Sequence, residues 1–179
     1  SVHYEGIKFK KRVSHSLGNS LTPVALCGLY YSTTGDREFF TKNLYLKFRI
    51  REILDKVLNS KHKDAWLFPS DWISDGPSMG DYHTGSNVLA WYCFRAMSKI
   101  MDEVYDDEFT ANQYAEIAKK IKEDIEKHNV IEGVFGPQYI EGVDADGSVP
   151  YMVHDGEESD VTLMPVYGYT TFDDPRYKN

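Results

Sequence analysis

Apolar positions recur along this chain in two alternating styles. From Leu21 to Thr33 they fall on every face of a helical projection (Val24, Ala25, Leu26, Leu29, Tyr30, Tyr31), which predicts a helix buried all round. Thr22 stands as its N-cap, Pro23 at its first position and Gly35 beyond its end. A second helix is expected from Asp36 to Asn59, with a break near Asn43. It carries Phe48, Ile50, Ile53, Leu54, Val57 and Leu58 on one side and Lys and Arg on the solvated one. Ser86 can cap a third helix over 87–105, apolar on most sides through Val88, Leu89, Trp91, Tyr92, Phe94, Met97, Ile100, Met101 and Val104. A fourth opens at Thr110, with Gln113 at capping-box spacing, and lines up Tyr114, Ile117, Ala118, Ile121 and Ile125 as one stripe. Buried and amphipathic helices therefore alternate: inner, outer, inner, outer.

Between Val134 and Val153 the period shortens to β-like runs joined by Asp144-Ala145-Asp146-Gly147, which predicts a small hairpin. Helical spacing resumes from Ser159 and predicts a fifth helix of inner type. The Asp144-x-Asp146 spacing lacks the further acidic ligands of a calcium loop, so no metal site and no cofactor is expected.

Composition narrows the function classes. The 179 residues fit one domain, and 41% hydrophobic with 14% aromatic residues excludes a disordered chain. A net charge of −8 repels nucleic acid and anionic membrane, leaving neutral ligands as partners. Cys27 and Cys93 lie inside apolar helical runs and read as buried filler. No run has the length of a membrane span or the apolar core of a signal peptide, and localisation stays open. The chain lacks an initiator Met, so a processed or excised chain is expected.

Candidate chemistry concentrates in Trp66 to Trp91. Glycine and proline make this a loop, yet it carries Trp66, Trp72, Asp71, Asp75, Asp81, His83 and Asn87, so it is expected to wrap a cleft. A sugar offers an apolar face to stack on an indole and hydroxyls for carboxylate, imidazole and amide groups. Cleaving its glycosidic bond needs a carboxylic acid beside the bridging oxygen. Asp75, between a Trp-Ile-Ser run and Gly-Pro, is the first candidate, since apolar rings nearby would raise its pKa.

Three segments carry a resemblance: Asp71-Trp72-Ile73-Ser74-Asp75-Gly76; Gly80-Asp81-Tyr82-His83-Thr84-Gly85-Ser86-Asn87; and His154-Asp155-Gly156-Glu157-Glu158-Ser159-Asp160 running on to Tyr169. With the alternating helices, they make the chain resemble the six-hairpin glycosidase superfamily of trehalases, processing α-glucosidases, glucoamylases, rhamnosidases, exo-α-mannosidases and debranching enzymes. That resemblance implies a mainly α fold, with alternating inner and outer hairpins of a partial (α/α)6 toroid and a small β-hairpin near 134–153. With five helices where the superfamily has twelve, residues 1–179 are expected to form part of a larger catalytic domain, whose remainder, or another chain, is a partner.

The resemblance also implies a glycoside hydrolase acting on a neutral, α-linked oligosaccharide with inversion. Asp75 is then the acid, and Trp66, Asp71, Trp72, Asp81, His83, Asn87, His154, Asp155 and Asp160 bind the carbohydrate. Glu157 or Glu158 is the base, unless the base lies outside this chain or these residues only cap a helix. The rival readings are a phosphorylase of the same fold and a non-catalytic helical carbohydrate-binding or scaffold domain. No G-x-S-x-G, Gly-rich nucleotide loop or His-rich ligand spacing supports another chemistry.

Overall fold

The structure is a computed structural model that describes residues 3–5, 8–10, 15–73, 76–148 and 161–179. Two short strands, β1 (His3–Glu5) and β2 (Lys8–Lys10), pair antiparallel ahead of the helices. α1 spans Leu17–Thr34, α2 Arg37–Lys42, α3 Tyr45–Asn59, α4 Thr84–Glu103 and α5 Glu108–His128. The described residues are mainly helical, with a few small antiparallel strand pairs.

The alternation read from the apolar pattern is present in α4 and α5, whereas α1, expected to be buried all round, leaves Leu26 and Tyr30 exposed. In α4 every residue from Thr84 to Phe94 is buried, so the helix is enclosed by protein on all sides through its first three turns. α5 buries one stripe (Ala111, Tyr114, Ala118, Ile121, Ile125) against α4, and α3 turns Ile50, Leu54 and Val57 towards α1. α1 and α4 pack against each other, closely enough that a Cβ built on Gly28 would sit 2.7 Å from Ala96 Cβ.

Several boundaries differ from expectation. α1 starts at Leu17 with Ser16 as its cap, and Pro23 lies inside it. Thr22 instead donates its hydroxyl to the Gly18 carbonyl one turn back. α4 is capped by His83 rather than Ser86, and α5 by Asp107, whose carboxylate accepts from Thr110 N at 3.2 Å. The expected break near Asn43 falls between α2 and α3.

The hairpin region also divides differently. β6 (Val130–Gly133) pairs with β7 (Gly136–Tyr139), while β8 (Gly142–Val143) crosses to β5 (Tyr82–His83). A turn does form at 144–147, with Gly147 at φ 86° and its N–H bonded to Asp144 O. No inner helix follows in the described part of 159–179. A single 3-10 turn (Val161–Leu163), further turns and a four-residue α6 (Pro175–Lys178) stand there instead. Pro165 lacks an amide hydrogen, and Gly168 sits at φ 70°, so the chain cannot hold helical geometry through Leu163–Tyr169. No described helix is long and apolar enough to cross a membrane.

Candidate functional site

Two loops are stitched over the N-terminal ends of α1 and α4. The first, 60–83, is held to α1 by Ser70, whose Oγ accepts from Leu17 N at 3.1 Å. The Asp71 and Trp72 amides both donate to the His15 carbonyl, and Asp71 Oδ2 accepts from His15 N at 3.0 Å. Beyond them β3 (Trp72–Ile73) pairs with β4 (Gly76–Pro77). Asp71 stays exposed and Trp72 is half-buried, so a carboxylate and an indole, both usable by a sugar, stand side by side.

The second loop, 129–148, meets the first through β5 and β8. Their backbones touch: a Cβ on Gly142 would lie 1.8 Å from Met79 O, and one on Gly80 would lie 3.0 Å from Val143 N. Asp81, also exposed, accepts from Ala145 N at 2.9 Å and donates its own amide to Asp144 Oδ1 at 3.2 Å. A cavity of about 220 Å³ lies behind this joint, lined by Tyr82, His62, His128 and the 143–147 turn. Burial and the neighbouring Asp81 carboxylate raise the Tyr82 pKa, keeping the phenol neutral.

His83 and Asn87 are fully buried, and the protein engages their polar atoms. His83 Nδ1 accepts from Ser86 N at 3.0 Å as the cap of α4, and its Nε2 lies 2.8 Å from Glu141 Oε1. Asn87 receives Phe68 N at 2.8 Å and donates to the carbonyls of Phe68 and His83. Both therefore hold the loops onto the helix. Trp66 stands towards α5: its amide donates to Asp124 Oδ2, and the Lys61 and Lys120 ammonium groups lie 5.1 and 4.9 Å from its ring centre.

Asp75, His154, Asp155, Glu157, Glu158 and Asp160 lie outside the described residues. Sequence reasoning missed Glu141, Ser70 and Asn129. A charged residue wedged between Ile140 and Gly142 is the one signal for Glu141, and by itself it reads as an ordinary strand position. Asn129 is buried and donates to Thr84 Oγ1 at 2.8 Å, next to the His83–Glu141 pair. Among the described residues no group of three or more His, Cys, Asp or Glu could hold a metal ion. A larger cavity of about 690 Å³ borders Gly28, Tyr92 and Arg95, and none of the predicted site residues lines it.

Residues 67–179, more than half of the chain and including the second loop and the first from Leu67 on, match the model of the family described as metal-independent alpha-mannosidase (GH125). No curated protein matches the chain.

Proposed function

The chain belongs to the metal-independent alpha-mannosidase family, a glycoside hydrolase family, and from that premise we propose that it takes part in removing α-linked mannose from a neutral oligosaccharide with inversion. The observation that carries this reading is the pair of exposed carboxylates, Asp71 and Asp81, with Trp72, all on the 60–83 loop, which is fastened to the N-terminal end of α1 and to the second loop. Trp72 stacks on the apolar face of the sugar while Asp71 and Asp81 bind hydroxyls. His154, Asp155 and Asp160 add further contacts to the sugar. Trp66, His83 and Asn87 serve the same site by fixing the first loop. The chain contributes two helical hairpins, α1 with α2–α3 and α4 with α5, to a larger catalytic domain.

In this reaction a protonated Asp75 gives its proton to the bridging oxygen as the C1–O bond breaks. A second carboxylate takes a proton from the water that attacks C1 on the opposite face, roughly 6.5 to 9.5 Å from the acid. Glu157 or Glu158 supplies it, or a residue outside this chain does. The first-formed product is β-mannose.

The test is to give the complete enzyme an α-linked manno-oligosaccharide in phosphate buffer and follow the anomeric signals by NMR. Early β-mannose supports the reading, whereas α-mannose or mannose 1-phosphate overturns it. Asp75→Asn should cut kcat by about 10²-fold or more on substrates with poor leaving groups and leave KM near wild type, because the amide keeps the shape but has no proton to give. Glu157→Gln and Glu158→Gln separate the base from sugar contacts. The base variant recovers turnover with azide on mannosyl fluoride, which needs no acid, whereas equal, mild losses at all three positions would assign no catalytic role.

A further inference from the structure

We propose that Glu141 is the positioning residue of this site, setting through His83 the place of the sugar-facing Asp81; the Asp81 part of this rests on the mannosidase reading above. His83 Nδ1 receives the Ser86 amide at 3.0 Å, so that nitrogen presents a lone pair and the ring proton sits on Nε2. Nε2–H then donates to Glu141 Oε1 at 2.8 Å. Both side chains are at most 2% exposed, so water cannot replace this bond.

Glu141 grips α4 a second time through its backbone. Its carbonyl accepts the Thr84 amide at 2.8 Å, and Thr84 Oγ1 donates to the Ile140 carbonyl next door. Residues 140–141 are thereby pinned to the first turn of α4. Immediately beyond Glu141, β8 pairs Gly142 with His83 and Val143 with Tyr82. The Gly142 and Gly80 backbone approaches leave this register no slack. One and two residues further on stand Asp144 and Ala145, which hold Asp81 from both sides. The path from buried carboxylate to exposed carboxylate is continuous: Glu141, His83 with β5, β8, the 144–145 turn, Asp81.

The test compares Glu141→Leu, which has no acceptor, with Glu141→Gln, whose carbonyl can still receive His83 Nε2–H, in the complete enzyme. Leucine should raise amide hydrogen exchange over 142–147 and 81–86 while the middle of α1 stays protected, and glutamine should leave both near wild type. On a manno-oligosaccharide, Glu141→Leu should lower kcat/KM by about 10-fold or more, and Glu141→Gln should restore most of it. Asp81→Asn combined with Glu141→Leu should be no worse than the weaker of the two single variants, since both remove one function. Should the leucine variant fail to fold, Glu141→Asp, which withdraws the carboxylate by one methylene, takes its place in every comparison.

Unchanged exchange over 142–147, or losses at Asp81 and Glu141 that multiply, overturns the proposal. If the wild-type enzyme releases no mannose, the mannosidase reading fails by itself, and the exchange measurement still decides whether Glu141 holds the two loops together.

Discussion

At the scale of single residues, the candidate site depends on backbone contact that only glycine permits. Gly142 is hemmed by Met79 O, whereas Gly35, the C-cap of α1 at φ 63°, has nothing within 4 Å of where a Cβ would stand. An added methyl therefore does different things at the two positions. Gly35→Ala strains one left-handed residue at a cost of about 1 kcal/mol. Gly142→Ala has to push β8 away from the Met79 carbonyl ahead of β5 and should cost about 2 kcal/mol or more, within the range for inserting volume where none is free. Urea unfolding with a shared m-value measures both, and Gly142→Ala should also weaken turnover while Gly35→Ala leaves it alone. Equal costs with equal activity would mean that the β5–β8 contact is soft. His83 ties the same joint: His83→Ala removes both the buried 2.8 Å bond to Glu141 and the cap of α4, and should destabilise by about 2 kcal/mol, read from the same curves.

Among the elements, α5 offers the clearest linkage between charge and folding. Asp107 caps it and forms an ion pair with Lys47 at 2.9 Å, both side chains only 20% exposed. The Lys47 bond first, then the Thr110 amide, hold its carboxyl down at about 2, below the usual 3.8. A depressed acid stabilises the folded state at pH values above its unfolded pKa, and that contribution is lost as pH falls through the folded one. Asp107→Ala should thus cost about 1 kcal/mol at pH 7, and the gap to wild type should narrow as pH drops from about 4 towards 2. A gap that stays constant over that range would remove Asp107 as a titrating cap. Periodicity made the four main helices legible, because burying one stripe or all faces leaves a direct mark on the order of residues. Caps were less legible: Thr22, Ser86 and Thr110, which lie beyond Ser16, His83 and Asp107, can cap by residue type too. The β5–β8 pair was invisible, since two-residue strands some 60 positions apart carry no period at all. Asp71, Trp72 and Asp81 could be picked out as acidic-aromatic loop residues, but Glu141 could not, because its role comes from a partner 58 positions away.

On the scale of the whole molecule, the two inner helices are covered unequally. α4 is enclosed, but α1 leaves Leu26 at 60% and Tyr30 at 38% exposure one turn apart, with the Phe39 ring 4.9 Å from Tyr30 and itself exposed. Leu44, Tyr45 and Phe48 add exposed apolar surface at the start of α3. Soluble monomers seldom leave such residues contiguous, and an inner helix of a closed ring would have a neighbour on each side. The 179-residue chain expressed alone should therefore self-associate or bind a hydrophobic dye strongly at micromolar concentration. Leu26→Lys with Tyr30→Lys should shift it towards the monomer in sedimentation velocity without loss of helical circular dichroism. In the complete enzyme the same pair should instead destabilise, by about 2 kcal/mol or more, since each lysine would then enter a packed helix interface. A chain that sediments as a monomer with both residues native, and an enzyme indifferent to the lysines, would mean that the open face of α1 is a finished surface and that nothing is packed on it.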